Sequence, residues 1–153
     1  MTRPVFAALL TIAVALPASA AGVRTPEQVR PRVDHHLRHV EDLAQHFESV
    51  LTTACPRFTS PGEWDRYLDT EVDRVVLLLA HVEQAWLEAK TTGDDEVRRV
   101  AKAPRRRVEQ ARALLDKLSG CAGSNGTSLN QAGLWRRIER DVPQRQAEIA
   151  LPQ

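Results

Sequence analysis

A chain of 153 residues suits one domain rather than several. Its formal net charge is +1, with 27% charged and 42% apolar residues. That balance excludes a disordered charged tail and gives no bulk attraction to nucleic acid or a membrane surface. Aromatics make up only 5%, while Ala, Leu, Arg, Glu and Gln abound, which favours helix.

Residues 1–20 read as an export signal. Arg3 supplies a short positive region, Val5 to Leu16 an apolar run too short to span a bilayer, and Ala18-Ser19-Ala20 a small-residue cleavage pattern after Pro17. Cleavage near Ala20 predicts a periplasmic or secreted protein, with residues 21–153 forming a single helical domain and no transmembrane segment in the mature chain. An oxidising compartment then makes the two cysteines, Cys55 and Cys121, one structural disulfide. Closing so long a loop stabilises by about 4 kcal/mol in the chain-entropy model.

Thr25-Pro26-Glu27-Gln28 resembles a capping box, but Pro31 follows closely and predicts only a short turn there. The first main helix is expected from about Arg32 to Cys55-Pro56. Its apolar positions are Val33, Leu37, Val40, Ala44, Phe47, Leu51 and Ala54, at the alternating four-three spacing of a bundle helix. Ser60-Pro61-Gly62-Glu63 is a stronger start, with Ser as N-cap, Pro at N1 and Glu at N3. The second helix carries Trp64, Leu68, Val72, Val75, Leu79, Val82, Trp86 and Ala89 in the same phase. It is expected to end near Gly93, whose freedom suits a left-handed C-cap. Leu77 points away from that seam, beside Asp73, Ala80 and Gln84.

Asp94, Asp95 and Glu96 place negative charge at the start of a third helix. Its seam runs Val97, Ala101, Pro104, Val108, Ala111, Leu115 and Leu118 to a stop at Ser119-Gly120. Pro104 predicts a kink, because it removes a backbone hydrogen bond. After a Gly/Ser/Asn loop, Ser128 and Gln131 suggest a cap for a fourth helix with Leu134, Trp135, Ile138 and Val142, meeting Pro143. Four helices on short connections predict an up-down-up-down bundle. The two cysteines follow the first and third helices, so both fall at one end. The three tryptophans lie on seams and read as core anchors.

The patterned polar residues are the functional candidates. His35, His39, Asp42 and His46 fall within roughly 60° of arc, nearly opposite the apolar seam, so they are expected towards solvent. His35 and His39 stand at i, i+4, a spacing that lets two imidazoles share a Zn, Ni or Cu ion. All four cannot share one ion, because the stripe is about 16 Å long; a second helix or a partner must complete a site. The only methionine is Met1, which excludes a Met-rich copper site. His36 and His81, beside the seams, read as structural.

A basic run, Arg98, Arg99, Lys102, Arg105, Arg106 and Arg107, projects from the third helix, and Arg136, Arg137 and Arg140 from the fourth. The first five of that run are the candidate surface for a protein partner. Glycine-rich phosphate loops, nucleophile elbows and HExxH zinc motifs do not occur. The sequence therefore points away from an enzyme. It suggests an exported protein-binding module such as an inhibitor, immunity-type factor, adaptor or envelope chaperone, needing no cofactor. The alternative is a periplasmic metal-binding or metal-sensing protein built on the histidine stripe.

Overall fold

The computed structural model describes residues 23–152. The export signal and the cleavage point near Ala20 lie outside the described residues. Every regular element among the described residues is helical. In order they are α1 (Pro26–Thr52), α2 (Pro61–Ala89), α3 (Asp95–Lys102), a 3-10 turn (Ala103–Arg106), α4 (Arg107–Ser124) and α5 (Gln131–Ile149). Among the described residues no helix is long and apolar enough to cross a membrane. Cys55 and Cys121 are disulfide-bonded with their Cα atoms 5.3 Å apart. The all-helical architecture and the disulfide both match the sequence reading.

Several element bounds differ from expectation, for local reasons. α1 begins at Pro26 and runs straight through Pro31. The Thr25 N–H is held by Gln28 Oε1 at 3.0 Å, and Val29 and Val33 are fully buried, so packing of the first turns outweighs the one missing hydrogen bond. α2 starts as predicted, with Glu63 N–H donating to Ser60 Oγ and Ser60 N–H to Glu63 Oε2. It stops at Ala89, and Gly93 is not left-handed; Gly126, after α4, is the one described residue with positive φ, at 72°. The expected third helix is α3 and α4 joined by the 3-10 turn that contains Pro104. α4 continues past Gly120 to Ser124, so Cys121 lies within its last turns. Asn130, not Ser128, caps α5 by accepting from Gly133 N–H at 3.0 Å. α5 then carries Pro143 internally, held against α2 by Arg145 on Asp73 and Gln146 on Gln84.

α2 is the central helix. α1 packs along one side of it and α5 along another, with α4 against α1 and α3 against both α1 and α2. Burial therefore runs round most of α2, taking in Glu71, Ala80, His81, Gln84 and Glu88 besides the predicted seam. The face that carries Ala80 and Gln84 is covered by α5, which explains the apolar residues there. The ends of the connections are tied by side chains. Lys117 Nζ donates to the carbonyls of Leu51 and Thr53 at the C-terminal end of α1, where a cation opposes the helix dipole. Asn125 holds the 53–60 loop through Pro56 O and Phe58 N–H.

The core has two parts. The larger contains Val40, Phe47, Trp64, Val72, Val75, Leu78, Leu114, Leu118 and Ile138. The smaller contains Val29, Val33, Ala89, Val97 and Ala101. His36 lies on α1 between Val33 of the smaller cluster and Val40 of the larger, and His81 on α2 between Leu78 and Val82 of the larger. Beside the smaller one, buried Glu88 accepts Arg32 Nε at 2.7 Å and Nη2 at 2.9 Å, Arg24 at 3.1 Å and Gln84 at 3.2 Å. Arg32 also donates to the carbonyls of Leu151 and Pro152, fastening the C-terminal tail.

Candidate functional site

The histidine stripe does not face solvent as a unit. Buried α1 residues Val29, Val33, His36, Val40, Ala44 and Phe47 define the core direction. At 100° per residue the stripe lies roughly 125° from it, on the flank beside α2 rather than opposite. Only His39 and Asp42 are exposed; His35 and His46 are half-buried. His46 Nε2 meets buried Glu71 Oε2 at 2.8 Å, and Glu71 is also bound by Arg74. Asp42 has no such contact. The stripe is divided: His46 is hydrogen-bonded to buried Glu71, and the other two histidines join a different group.

That group is a cluster of four imidazoles, His35, His36 and His39 from α1 and His81 from α2. His39 stacks on His81 with ring centroids 4.6 Å apart and an interplanar angle of 16°. His35 stands edge-on to His39 at 4.8 Å and to His81 at 6.4 Å. The Nδ1 atoms of His36 and His81 are 2.9 Å apart, so one of the two must carry a proton and the other must not. Nε2 of His36 is buried with no hydrogen-bond partner, whereas Nε2 of His81 is not buried in this way. A partnerless bare nitrogen costs less than a partnerless N–H, which favours His36 Nδ1–H donating to His81.

Burial, then the neighbouring imidazoles, holds His81 down to about 3. Burial and the adjacent His35 hold His36 at about 4, partly offset by Glu88. Burial and His39 also lower His35. Near neutral pH the rings of His36 and His81 are therefore uncharged. In this arrangement no group of three or more His, Cys, Asp or Glu side chains among the described residues is set to hold a metal ion. The geometric reason is visible in the stack: imidazole lone pairs lie in the ring plane, so two parallel rings do not aim at one point.

The basic run forms a second candidate. Arg98 donates to Thr92 O and lies near Asp95, and Arg99 pairs with Glu96. Both are thus engaged by groups of α3 or of the loop just before it. Lys102 and Arg105 instead gather over the half-buried ring of Trp86, at 4.8 and 5.4 Å from its centroid, and Lys90 joins them at 5.6 Å. Arg106 is exposed. Among the described residues none of Lys90, Lys102, Arg105 or Arg106 has a carboxylate partner. A cleft of about 420 Å³ opens here, lined by Trp86, Lys90, Asp95, Arg98, Arg99 and Lys102. Arg107 lies apart, bound to Glu41. On α5, Arg137 pairs with Asp69 and Arg140 with Asp141.

Of the three tryptophans, Trp64 is fully buried, at 2% exposure, while Trp135 and Trp86 are half-buried and pack against the larger and the smaller cluster respectively. Trp86 lies under cations, and Trp135 is half-buried, donating to Glu139 with Arg112 over its ring. Sequence spacing missed these roles because an amphipathic phase marks the side of a helix and not how far a neighbour covers it. Lys90 also escaped notice, since it lies in a different helix–loop segment from the basic run. In comparison with protein-family models, curated proteins and solved structures, nothing matches this chain. Its function is argued from these residues alone.

Proposed function

We propose that the chain is an exported, non-enzymatic helical bundle that binds an acidic segment of a partner protein through the basic face around Trp86. The observation that carries this reading is the gathering of Lys90, Lys102 and Arg105 on one ring, none of them with a carboxylate partner among the described residues. Cations within 5.6 Å of one centroid are at most about 11 Å apart, so each pair repels by at least roughly 0.4 kcal/mol even in water. Each cation–ring contact returns about 0.5–1 kcal/mol at an exposed site. The two effects are of similar size, so the cluster is held in place yet electrostatically unsatisfied. An incoming carboxylate relieves the repulsion, and the apolar edge of Trp86 gives it a floor. Between Lys90 and Arg107 seven cations stand against the three carboxylates of Asp94, Asp95 and Glu96, so the local field attracts acid although the whole chain is nearly neutral.

The scaffold in this reading is an up-down-up-down bundle with a bend at Pro104, in a compartment where the disulfide persists. Cys55 and Cys121, 5.3 Å apart, support it by bringing the ends of the first and third helical segments together. Calorimetric titration of the folded chain with a poly-glutamate peptide, at low and at high salt, tests the site. Saturable binding is expected, at least tenfold weaker in high salt and in a Lys102→Glu/Arg105→Glu variant. An Arg136→Glu/Arg140→Glu variant, altered on α5, retains it. Equal affinity in the first variant refutes the assignment.

A further inference from the structure

We propose that His35 and His39 of α1, together with His81 of α2, bind one borderline transition-metal ion of the Zn²⁺, Ni²⁺ or Cu²⁺ class, with His36 as the residue that orients His81. This site is independent of the basic face. An i, i+4 pair of imidazoles is weak by itself and needs a third ligand from elsewhere. The fold brings that ligand: α1 and α2 pack side by side, and His81 stacks against His39.

The spacing suits a single ion. With metal–nitrogen bonds of about 2.0–2.1 Å in tetrahedral geometry, the centroids of bound imidazoles stand about 5 Å apart. The three centroid separations here are 4.6, 4.8 and 6.4 Å. What prevents convergence is the 16° angle between His39 and His81, which keeps their lone pairs parallel. His39 is exposed, and an exposed side chain changes rotamer on the picosecond to nanosecond scale. The proposal requires that one ring to turn off the stack, so that its nitrogen shares a point with its neighbours.

Two further features fit a ligand role. His81 is fixed through Nδ1 by His36 at 2.9 Å, which leaves Nε2 as its coordinating nitrogen. Coordination at Nε2 requires both rings to change tautomer: His81 carries its proton on Nδ1 and donates to His36 Nδ1, and His36 carries its own proton on Nε2, so that the ligating imidazole is oriented by its other nitrogen. Three imidazoles and no carboxylate or thiolate select the borderline ions over Mg²⁺ or Ca²⁺. His46, occupied by Glu71, lies outside the site.

The test is calorimetry of the folded chain with Zn²⁺, Ni²⁺ and Cu²⁺ separately. One ion per chain is expected, with a dissociation constant below about 10 μM for at least one metal. His39→Ala alters only an exposed ring and so retains the fold; it is expected to weaken binding at least 100-fold, as is His81→Ala. His36→Asn is expected to weaken it 10–100-fold, the range for loss of an orienting partner. His46→Ala leaves it unchanged. Absence of saturable binding for all three metals overturns the proposal. So does binding that survives His39→Ala, or that falls equally with His46→Ala. The His39→Ala variant still binds poly-glutamate if the basic face works as proposed, so the two ideas fail separately.

Discussion

Replacing Arg32 by Met removes a guanidinium and leaves a side chain of similar reach in its place. Glu88 is only 4% exposed and takes two charge-assisted hydrogen bonds from Arg32. Breaking a buried pair from one side typically costs about 3–5 kcal/mol. Here the figure is reduced, because Arg24 and Gln84 still reach Glu88 and the Arg32 side chain is itself 17% exposed. We expect a loss of about 2–3 kcal/mol, or roughly 6–12 °C in Tm for a chain of this size. Urea unfolding at pH 7 followed by far-ultraviolet circular dichroism measures it, within a double-mutant cycle that includes Glu88→Gln. A coupling energy of about 1–2 kcal/mol is expected for two residues in direct contact. The pH dependence adds a second check. Burial pushes the Glu88 carboxyl up, but its hydrogen bonds and charge contacts with Arg32, Gln84 and Arg24 together bring it below its ordinary value. A depressed carboxyl contributes stability above its unfolded pKa, and that stability is lost as pH falls through the folded pKa. The penalty of Arg32→Met therefore shrinks on acidification. A coupling below about 0.5 kcal/mol, or a penalty as large at pH 3 as at pH 7, would refute the account of Glu88 as a paired buried anion.

Reducing the disulfide, or replacing both cysteines by Ser, opens a link across 66 residues of sequence and is expected to lower stability by about 4 kcal/mol, read by urea unfolding with and without reductant. Trp64→Ala empties the largest fully buried side-chain site in the main core and should cost about 3–5 kcal/mol, whereas Trp135→Ala, at a half-buried position, should cost clearly less. Gly126→Ala forces a side chain into φ +72° and is expected to destabilise by about 1–2 kcal/mol, while Gly93→Ala, with open space around its Cβ and ordinary φ, is nearly neutral; thermal melts compare the two.

The helices themselves were legible because each signal is local. Ser60 and Glu63 satisfy each other's backbone whatever lies beyond, and the four-three spacing of Val33, Val40 and Phe47 or of Val72, Val75 and Val82 defines a face without reference to a partner. The cysteine pairing followed from there being only two. Pro31 and Pro143 misled because a lost backbone bond is a local cost, and the offset comes from packing on α2 that local rules do not contain. The left-handed glycine was placed at Gly93 rather than Gly126 for a related reason: turn geometry depends on where the next helix must go.

The sequence by itself determined an all-helical chain with its apolar seams and its disulfide, since hydrogen-bond capping and periodic burial act within one helix. Only the tertiary structure decided what the polar residues do. The neighbours of a flank position come from another helix, at a register that periodicity does not set. That register gave Glu71 to His46 and Arg32 to Glu88, seated Lys90, Lys102 and Arg105 on Trp86, and brought His81 to the histidines of α1.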